Sequence, residues 1–203
     1  MLIVLTSERA LENEADQINE LFANGLEVLH FRKPTFDKQG YSILLNQIAA
    51  KYHSRIMLHQ YHELCEEFGL RGIHLQEQPR RDLKDQLTQY VDSYLDKGYK
   101  VSSSFHSKED IKNCTVSFEY VLLSPVFGSI SKTGYKGKGF DVNDLKEFVI
   151  GMGGINESTL QATFDLGFKG VGVLGGVWNA ENALKSFNQI YNAYKKTEKQ
   201  LTN

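Results

Sequence analysis

Short strand-type runs alternate with longer amphipathic segments along this chain of 203 residues. Eight runs are interpreted as buried strands: 2–5, 28–31, 56–58, 72–75, 100–104, 120–123, 148–152 and 170–174. The amphipathic segments predict helices over 11–22, 41–52, 61–68, 83–95 and 158–166. Four of these helices are followed by a glycine, which predicts a left-handed cap that turns the chain back toward a sheet: Gly25, Gly69, Gly98 and Gly167.

Eight strand–helix units in a chain of this length favour an α/β fold, a (β/α)8 TIM barrel at the small end of its size range. The alternative is a doubly wound open sheet, which normally needs fewer strands. The length predicts a single domain over residues 1–203. The polar segment 195–203 is predicted to be a frayed tail.

Composition and charge limit the possible partners. Hydrophobic residues make up 41% and charged residues 24% of the chain, which is typical of a globular protein, and the net charge is −2. A global positive field that would attract nucleic acid or an anionic membrane is therefore excluded. The first residues lack the pattern of a signal peptide, and no apolar run reaches 18 residues, so we expect a cytoplasmic protein.

In such a barrel, catalytic groups lie at the carboxyl ends of the strands. Four of the six histidines fall there: His30, His59, His74 and His106. Glycine pairs follow the seventh and eighth strands, where backbone N–H groups and helix N-termini favour phosphate: Gly153 with Gly154, and Gly175 with Gly176. The sixth strand leads into a loop with three lysines, LSPVFGSISKTGYKGKGF at 123–140. The strand ends therefore predict a phosphate site.

Several motifs, taken in chain order, resemble the thiamine phosphate synthase family, which includes the TenI-type thiazole tautomerases. They are GIHL at 72–75, SFH at 104–106, YVLLSPVFGSISK at 120–132, GMGGI at 151–155 and GFKGVGVLGGV at 167–177. The resemblance implies a (β/α)8 barrel and small phosphorylated thiazole and pyrimidine substrates. Synthases of the family join a pyrimidine pyrophosphate to a thiazole phosphate, normally with magnesium, whereas the tautomerases need no metal.

The resemblance also assigns roles to positions of this chain. Arg32 matches the arginine that follows the second strand, Ser104 matches a serine that contacts pyrophosphate, and Lys132 matches the lysine that ends the motif after the sixth strand. The four glycines of the two pairs fall where the thiazole phosphate would bind. We take His106 as a further substrate-binding candidate, with a purely bracing role as the alternative.

Other positions depart from the family pattern. A family glutamine is His30 here, and the Asn-Asp pair that supplies a magnesium ligand is His59 and Gln60. The second aspartate is replaced by Pro79, so that Glu77 is a weak candidate and the only carboxylate nearby. We therefore expect no cofactor, with magnesium possible only if synthase activity survives.

The departures leave several hypotheses open. His30 and His59, with Lys132, are the candidate catalytic residues, because imidazoles titrate near neutral pH. The two histidines could instead be neutral spacers, or could bind a transition metal together with His74 and His106. The chain is thus interpreted as a divergent thiamine-biosynthesis enzyme, with a thiazole tautomerase or a non-catalytic phosphate-binding protein as alternatives. A homodimer is expected by analogy.

Overall fold

The barrel is formed by eight parallel strands. A computed structural model describes residues 1–128 and 137–202 of the chain. Each strand pairs with the next, and the last pairs with the first, so that the sheet closes on itself. The strands are β1 (Leu2–Leu5), β2 (Val28–Phe31), β3 (Ile56–Leu58), β4 (Gly72–Leu75), β5 (Lys100–Phe105), β6 (Tyr120–Leu123), β7 (Val149–Met152) and β8 (Gly170–Val173).

Helices connect most of the strands. They are α1 (Glu14–Ala23), α2 (Lys38–Gln47), α3 (Leu64–Phe68), α4 (Glu77–Asp82), α5 (Leu87–Leu95), α6 (Lys108–Lys112), α7 (Leu160–Asp165), α8 (Gly175–Trp178) and α9 (Ala183–Thr202). Short 3-10 helices lie at Ala50–Arg55 and Lys84–Gln86. No helix within the described ranges is both long and apolar enough to cross a membrane.

Alternation along the strands divides the core into two parts, because successive side chains of a strand point to opposite faces. The larger part packs between barrel and helices and includes Leu29, Phe31 and Ile73. The smaller part fills the barrel interior and includes Val28, Met57, Tyr120 and Ile150. His30 and His74 are two residues beyond Val28 and Gly72, so alternation places both side chains in the interior, near the carboxyl end.

The predicted barrel is confirmed, and five predicted strands have the observed bounds. The other three differ by a single residue at one end. The glycine caps are also confirmed, because Gly25, Gly69, Gly98 and Gly167 all have positive φ. Strand bounds are well predicted here because a strand buried on both faces is a continuous apolar run between polar turns.

The helix predictions were less accurate. The second predicted helix, 41–52, begins earlier as α2, because the Asp37 side chain accepts a hydrogen bond from the Gly40 amide and caps it. Helices α4 and α6 were not predicted, and Ser107 caps α6 in the same way. The prediction of a frayed tail was wrong for most of its length, because α9 continues to Thr202. Tyr194 and Thr197 are buried along this helix, which holds it against the barrel.

Candidate active site

One large cavity opens at the carboxyl ends of the strands. Its volume is about 1060 Å³, and residues that follow each of the eight strands contribute to its walls. Most of the predicted site residues line it: Arg32, His59, Glu77, Ser104, His106, Gly153, Gly154, Gly175 and Gly176. The structure therefore brings together residues that lie far apart in the sequence.

One predicted catalytic residue, His30, is not among the cavity walls. His30 is fully buried in the barrel interior and contacts the cavity-lining His59. Lys132 lies outside the described residues. Lys138, another lysine of the loop after β6, donates a hydrogen bond from Nζ to the His106 carbonyl at 3.0 Å.

The loop after β1 is tied to the end of β2. The Thr6 hydroxyl donates to the Arg32 carbonyl and accepts from the Arg32 amide, each at 2.8 Å. The Arg32 guanidinium forms an ion pair with Glu8 at the cavity wall. A carboxylate partner holds this guanidinium in place, and it leaves the remaining N–H donors of Arg32 for an anionic ligand.

A buried ion pair under this loop was missed by the sequence analysis. Lys33 is fully buried, and its Nζ donates to Glu14 at 2.7 Å and to the carbonyls of Ser7 and Arg9. Burial raises the pKa of Glu14, and the hydrogen bond from Lys33 opposes that effect. Nothing in the sequence around Lys33 indicates that its side chain is buried. Its role in holding the loop after β1 is visible only in the tertiary structure.

The glycine pairs form one side of the cavity. Gly153 and Gly154 have positive φ, and the loop after β6 packs on them, since the amides of Val126 and Phe127 donate to the carbonyls of Met152 and Gly153. Among residues 1–128 and 137–202, no acceptor is present for the amide N–H groups of the four glycines. Backbone N–H groups without acceptors are suited to an anion such as phosphate.

Glu77 is the only carboxylate that was predicted as a possible metal ligand, and other side chains already contact it. Its carboxylate contacts His106 Nδ1 and forms an ion pair with Arg81 at 2.6 Å, and Arg81 also forms an ion pair with Asp110. Magnesium prefers an octahedral set of oxygen ligands with one or two carboxylates. Among the described residues, Glu8 and Glu77 are the only carboxylates lining the cavity, and both have cationic partners. The donor set does not fit magnesium.

Three of the four strand-end histidines converge beneath the cavity. His30 Nδ1 lies 2.8 Å from His59 Nε2, and the rings of His59 and His74 stack with centroids 4.2 Å apart. His30 Nε2 lies 2.7 Å from the Tyr120 hydroxyl. The fourth histidine, His106, is exposed at the rim and is not part of this cluster, which we call the histidine cluster (His30, His59 and His74).

Burial keeps the cluster neutral. It lowers the pKa of His30 to about 3, and the Arg71 guanidinium adds a smaller effect of the same sign. Burial also holds the pKa values of His59 and His74 well below the ordinary range, and the neighbouring imidazoles add to this effect. A neutral imidazole has one N–H donor and one acceptor nitrogen, so each ring can both accept and give a proton.

A metal ion could use the same three rings, because one nitrogen of each lies within 4.8 Å of the others. However, both nitrogens of His30 and both of His74 already take part in hydrogen bonds of 2.6 to 2.8 Å. A metal would replace the 2.8 Å hydrogen bond between His30 and His59 and separate their nitrogens, since two ligands about 2.0 Å from zinc at a tetrahedral angle lie farther apart. The hydrogen-bonded arrangement therefore explains the geometry better than a metal site does.

The fold and the cavity define a class: a (β/α)8-barrel protein with one polar cavity at the carboxyl end and glycine loops after β7 and β8. The family model described as thiamine monophosphate synthase matches residues 1–177. The chain therefore belongs to the thiamine monophosphate synthase family.

Individual relatives agree with this assignment. A crystal structure of thiamine phosphate pyrophosphorylase from Bacteroides thetaiotaomicron is 32% identical, with 98% of this chain and 97% of that chain covered and a TM-score of 0.72. A thiamine-phosphate synthase from Listeria innocua is 24% identical over 77% of this chain and 74% of its own length. A second, from Dictyoglomus turgidum, is 20% identical over 86% of this chain and 80% of its own length.

Proposed function

We propose that this protein is a metal-independent isomerase of the thiamine-biosynthesis family, which moves a proton within a phosphorylated thiazole. The observation that carries the proposal is the histidine cluster beneath the cavity, in which His30 and His59 stand where the family pattern has a glutamine and the asparagine that precedes a magnesium-binding aspartate. Neutral imidazoles are suited to proton transfer and unsuited to neutralising a departing pyrophosphate.

The cavity offers a place for each part of such a substrate. The phosphate would bind the amide N–H groups of the glycine pairs. Arg32 and Ser104 would hold a second anionic group, since a guanidinium presents several fixed N–H donors to a carboxylate, and Lys132 would join them. His59 would then exchange a proton with the heterocycle, because it is the member of the histidine cluster that lines the cavity.

A second candidate is the synthase activity itself, which the similarity to the Bacteroides thetaiotaomicron pyrophosphorylase favours. The donor set around Glu77 argues against it. A non-catalytic phosphate-binding protein is the third hypothesis. The cytoplasmic location and the homodimer remain predictions.

Parallel assays on the purified protein separate these functions. One contains the pyrimidine pyrophosphate and thiazole phosphate, with and without magnesium, and the other contains the thiazole carboxylate phosphate tautomer with EDTA. We expect turnover only in the second, and we expect His59→Asn or His30→Gln to lower its rate about 100-fold or more, as for loss of general acid–base catalysis. Magnesium-dependent formation of thiamine phosphate would establish the synthase instead, and binding without turnover in either assay would establish the binding protein.

A further inference from the structure

Two hydrogen-bonded runs of imidazoles and hydroxyl groups lie in the barrel interior, and each begins at a wall of the cavity. Ser104, at the cavity, contacts His74 Nε2 at 2.6 Å, and His74 Nδ1 contacts the Ser102 hydroxyl at 2.8 Å. At the other end, His59 at the cavity contacts His30, and His30 contacts the Tyr120 hydroxyl.

The two runs meet between β5 and β6. Ser102 and Tyr120 are opposite each other in the strand register, and His74 is likewise opposite Ser102. Burial raises the pKa of Tyr120, and the neighbouring Ser102 side chain acts in the opposite direction. The four hydrogen bonds and this register, which makes Ser102 and Tyr120 neighbours on adjacent strands, set the order of the row: Ser104, His74, Ser102, Tyr120, His30, His59.

Hydrogen-bond chemistry allows this row only two complete arrangements. A neutral imidazole that donates from one nitrogen accepts at the other, and each hydroxyl that accepts from one neighbour donates to the next. In one arrangement all three imidazoles carry the proton on Nδ1, and every donor points from Ser104 toward His59. In the other, all three carry it on Nε2, and every donor points from His59 toward Ser104.

The open end of the row is His59. Its Nδ1 is buried and has no hydrogen-bond partner among the described residues, although the side chain lines the cavity. Orphaned polar atoms are uncommon in protein interiors, and each calls for an explanation. A substrate that gives a proton to this nitrogen, or takes one from it, would supply the missing partner.

We infer that the row Ser104–His74–Ser102–Tyr120–His30–His59 is a proton relay that joins two points of the cavity through the barrel interior. A proton taken from the substrate by His59 Nδ1 releases the Nε2 proton to His30, and each following group passes one proton on. Ser104 finally delivers its hydroxyl proton to the substrate and receives one from His74. The protein gains no net charge, and every imidazole changes from the Nε2–H to the Nδ1–H tautomer.

This inference rests on the proposed function in one respect, the identity of the substrate. A tautomerisation removes a proton from one atom of a conjugated system and returns one to another, so a relay with two ends would serve both steps without forming a buried charge. Charges are costly in this cluster because all three rings are buried. Ser102, His74, Tyr120 and His30 would act through their neighbours, while His59 and Ser104 would contact the substrate.

The relay can be tested without any substrate. Long-range 1H–15N spectra of protein labelled with 15N-histidine report which ring nitrogen is protonated. We expect His30, His59 and His74 to have the same fraction of Nδ1–H tautomer and to keep that agreement as temperature changes. A mixed pattern, such as His74 on Nδ1 and His30 on Nε2, would contradict the relay whatever the protein's substrate is.

The variant Tyr120→Phe interrupts the row and keeps the aromatic ring. In this variant we expect His30 and His59 still to have the same tautomer fraction, because they are hydrogen-bonded to each other. The tautomer fraction of His74 should become independent of theirs. With the thiazole tautomer as substrate, kcat should fall about 100-fold at unchanged KM. When the rate is measured in mixtures of H2O and D2O, its plot against the deuterium fraction should be curved for the wild type, because several protons move. The same plot should be linear for Tyr120→Phe.

Tyr194→Phe is the matched control, because it also removes the hydroxyl of a buried tyrosine. The Tyr194 hydroxyl donates a hydrogen bond to Glu198, far from the cavity. It should leave kcat and all three tautomers unchanged. A loss of kcat below about threefold in Tyr120→Phe would overturn the relay. If the wild type does not turn over the thiazole tautomer, the proposed function fails, and the spectra alone decide the relay.

Discussion

At the scale of residues, the histidine cluster shows how burial determines chemistry. Each ring is enclosed by the barrel, and its charged form is therefore disfavoured. The sequence placed His30, His59 and His74 near the site, because all three follow from strand periodicity. It did not predict the contact of His30 with Tyr120, because β2 and β6 are not neighbours in the barrel and their approach depends on how the closed barrel brings opposite strands together.

The lowered pKa values predict a loss of stability in acid. Below pH 6.5, the ordinary histidine pKa, the unfolded chain protonates these histidines while the folded chain keeps them neutral, down to about pH 3 for His30. The free energy of unfolding therefore falls as the pH falls through this range. From pH 7 to 5 His30 alone should lower the free energy of unfolding by about 2 kcal/mol, and His59 and His74 act in the same direction. Urea unfolding at several pH values measures how steeply the free energy of unfolding depends on pH. His30→Gln should reduce this slope by the equivalent of about one proton. Equal slopes would contradict a neutral His30.

Lys33 provides a second prediction at this scale. Lys33→Met leaves the Glu14 carboxylate buried without its cation, and we expect the free energy of unfolding to fall by about 3–5 kcal/mol. The control is Lys38→Met, which breaks an exposed pair with Glu63 and should cost less than about 1 kcal/mol. Urea unfolding at pH 7 compares the two, and similar losses would show that the Lys33 pair does not hold the loop after β1.

At the scale of elements, strands were predicted better than helices. A strand buried on both faces is visible in the sequence as an apolar run. Helices α4 and α6 have only six and five residues; Ser107 caps α6, whereas α4 has no side-chain cap. The glycine loop after β7 was predicted from its sequence, but its packing partner was not. That partner is the loop after β6, whose carbonyl at Gly128 would lie 2.6 Å from a Cβ placed on Gly154.

The glycine loop can be tested with a matched pair of substitutions. Gly154 has φ of 68°, and an alanine there would be strained and would also meet Gly128 and Phe127. We expect Gly154→Ala to weaken binding of thiazole phosphate about tenfold or more, the equivalent of about 1.4 kcal/mol. Gly98→Ala has similar backbone strain at the opposite end of the barrel, with no atom within 4 Å, and should leave the dissociation constant unchanged. Calorimetric titration measures both, and equal affinities in the two variants would argue against phosphate at this loop.

At the scale of the whole molecule, one barrel places the two glycine pairs, the Arg32 guanidinium and the neutral histidine cluster around a single cavity. The family pattern suggested the first two from sequence alone. The loss of both magnesium aspartates, to Gln60 and Pro79, and the presence of His30 and His59 nearby were also visible there, but their meaning depended on whether the histidine rings converge. Their convergence in hydrogen-bonded, neutral form favours proton transfer over metal-assisted transfer of a pyrimidine.

The most direct test of this account follows the transferred proton itself. The thiazole carboxylate phosphate tautomer is incubated with metal-free protein and EDTA in D2O, and 1H NMR follows the formation of product and its deuterium content. We expect the wild type to form the isomer with deuterium at the newly protonated carbon, and His59→Asn to be slower by about 100-fold or more. No conversion by the wild type, or equal rates for the wild type and His59→Asn, would contradict the proposal that the histidine cluster performs proton transfer in this protein.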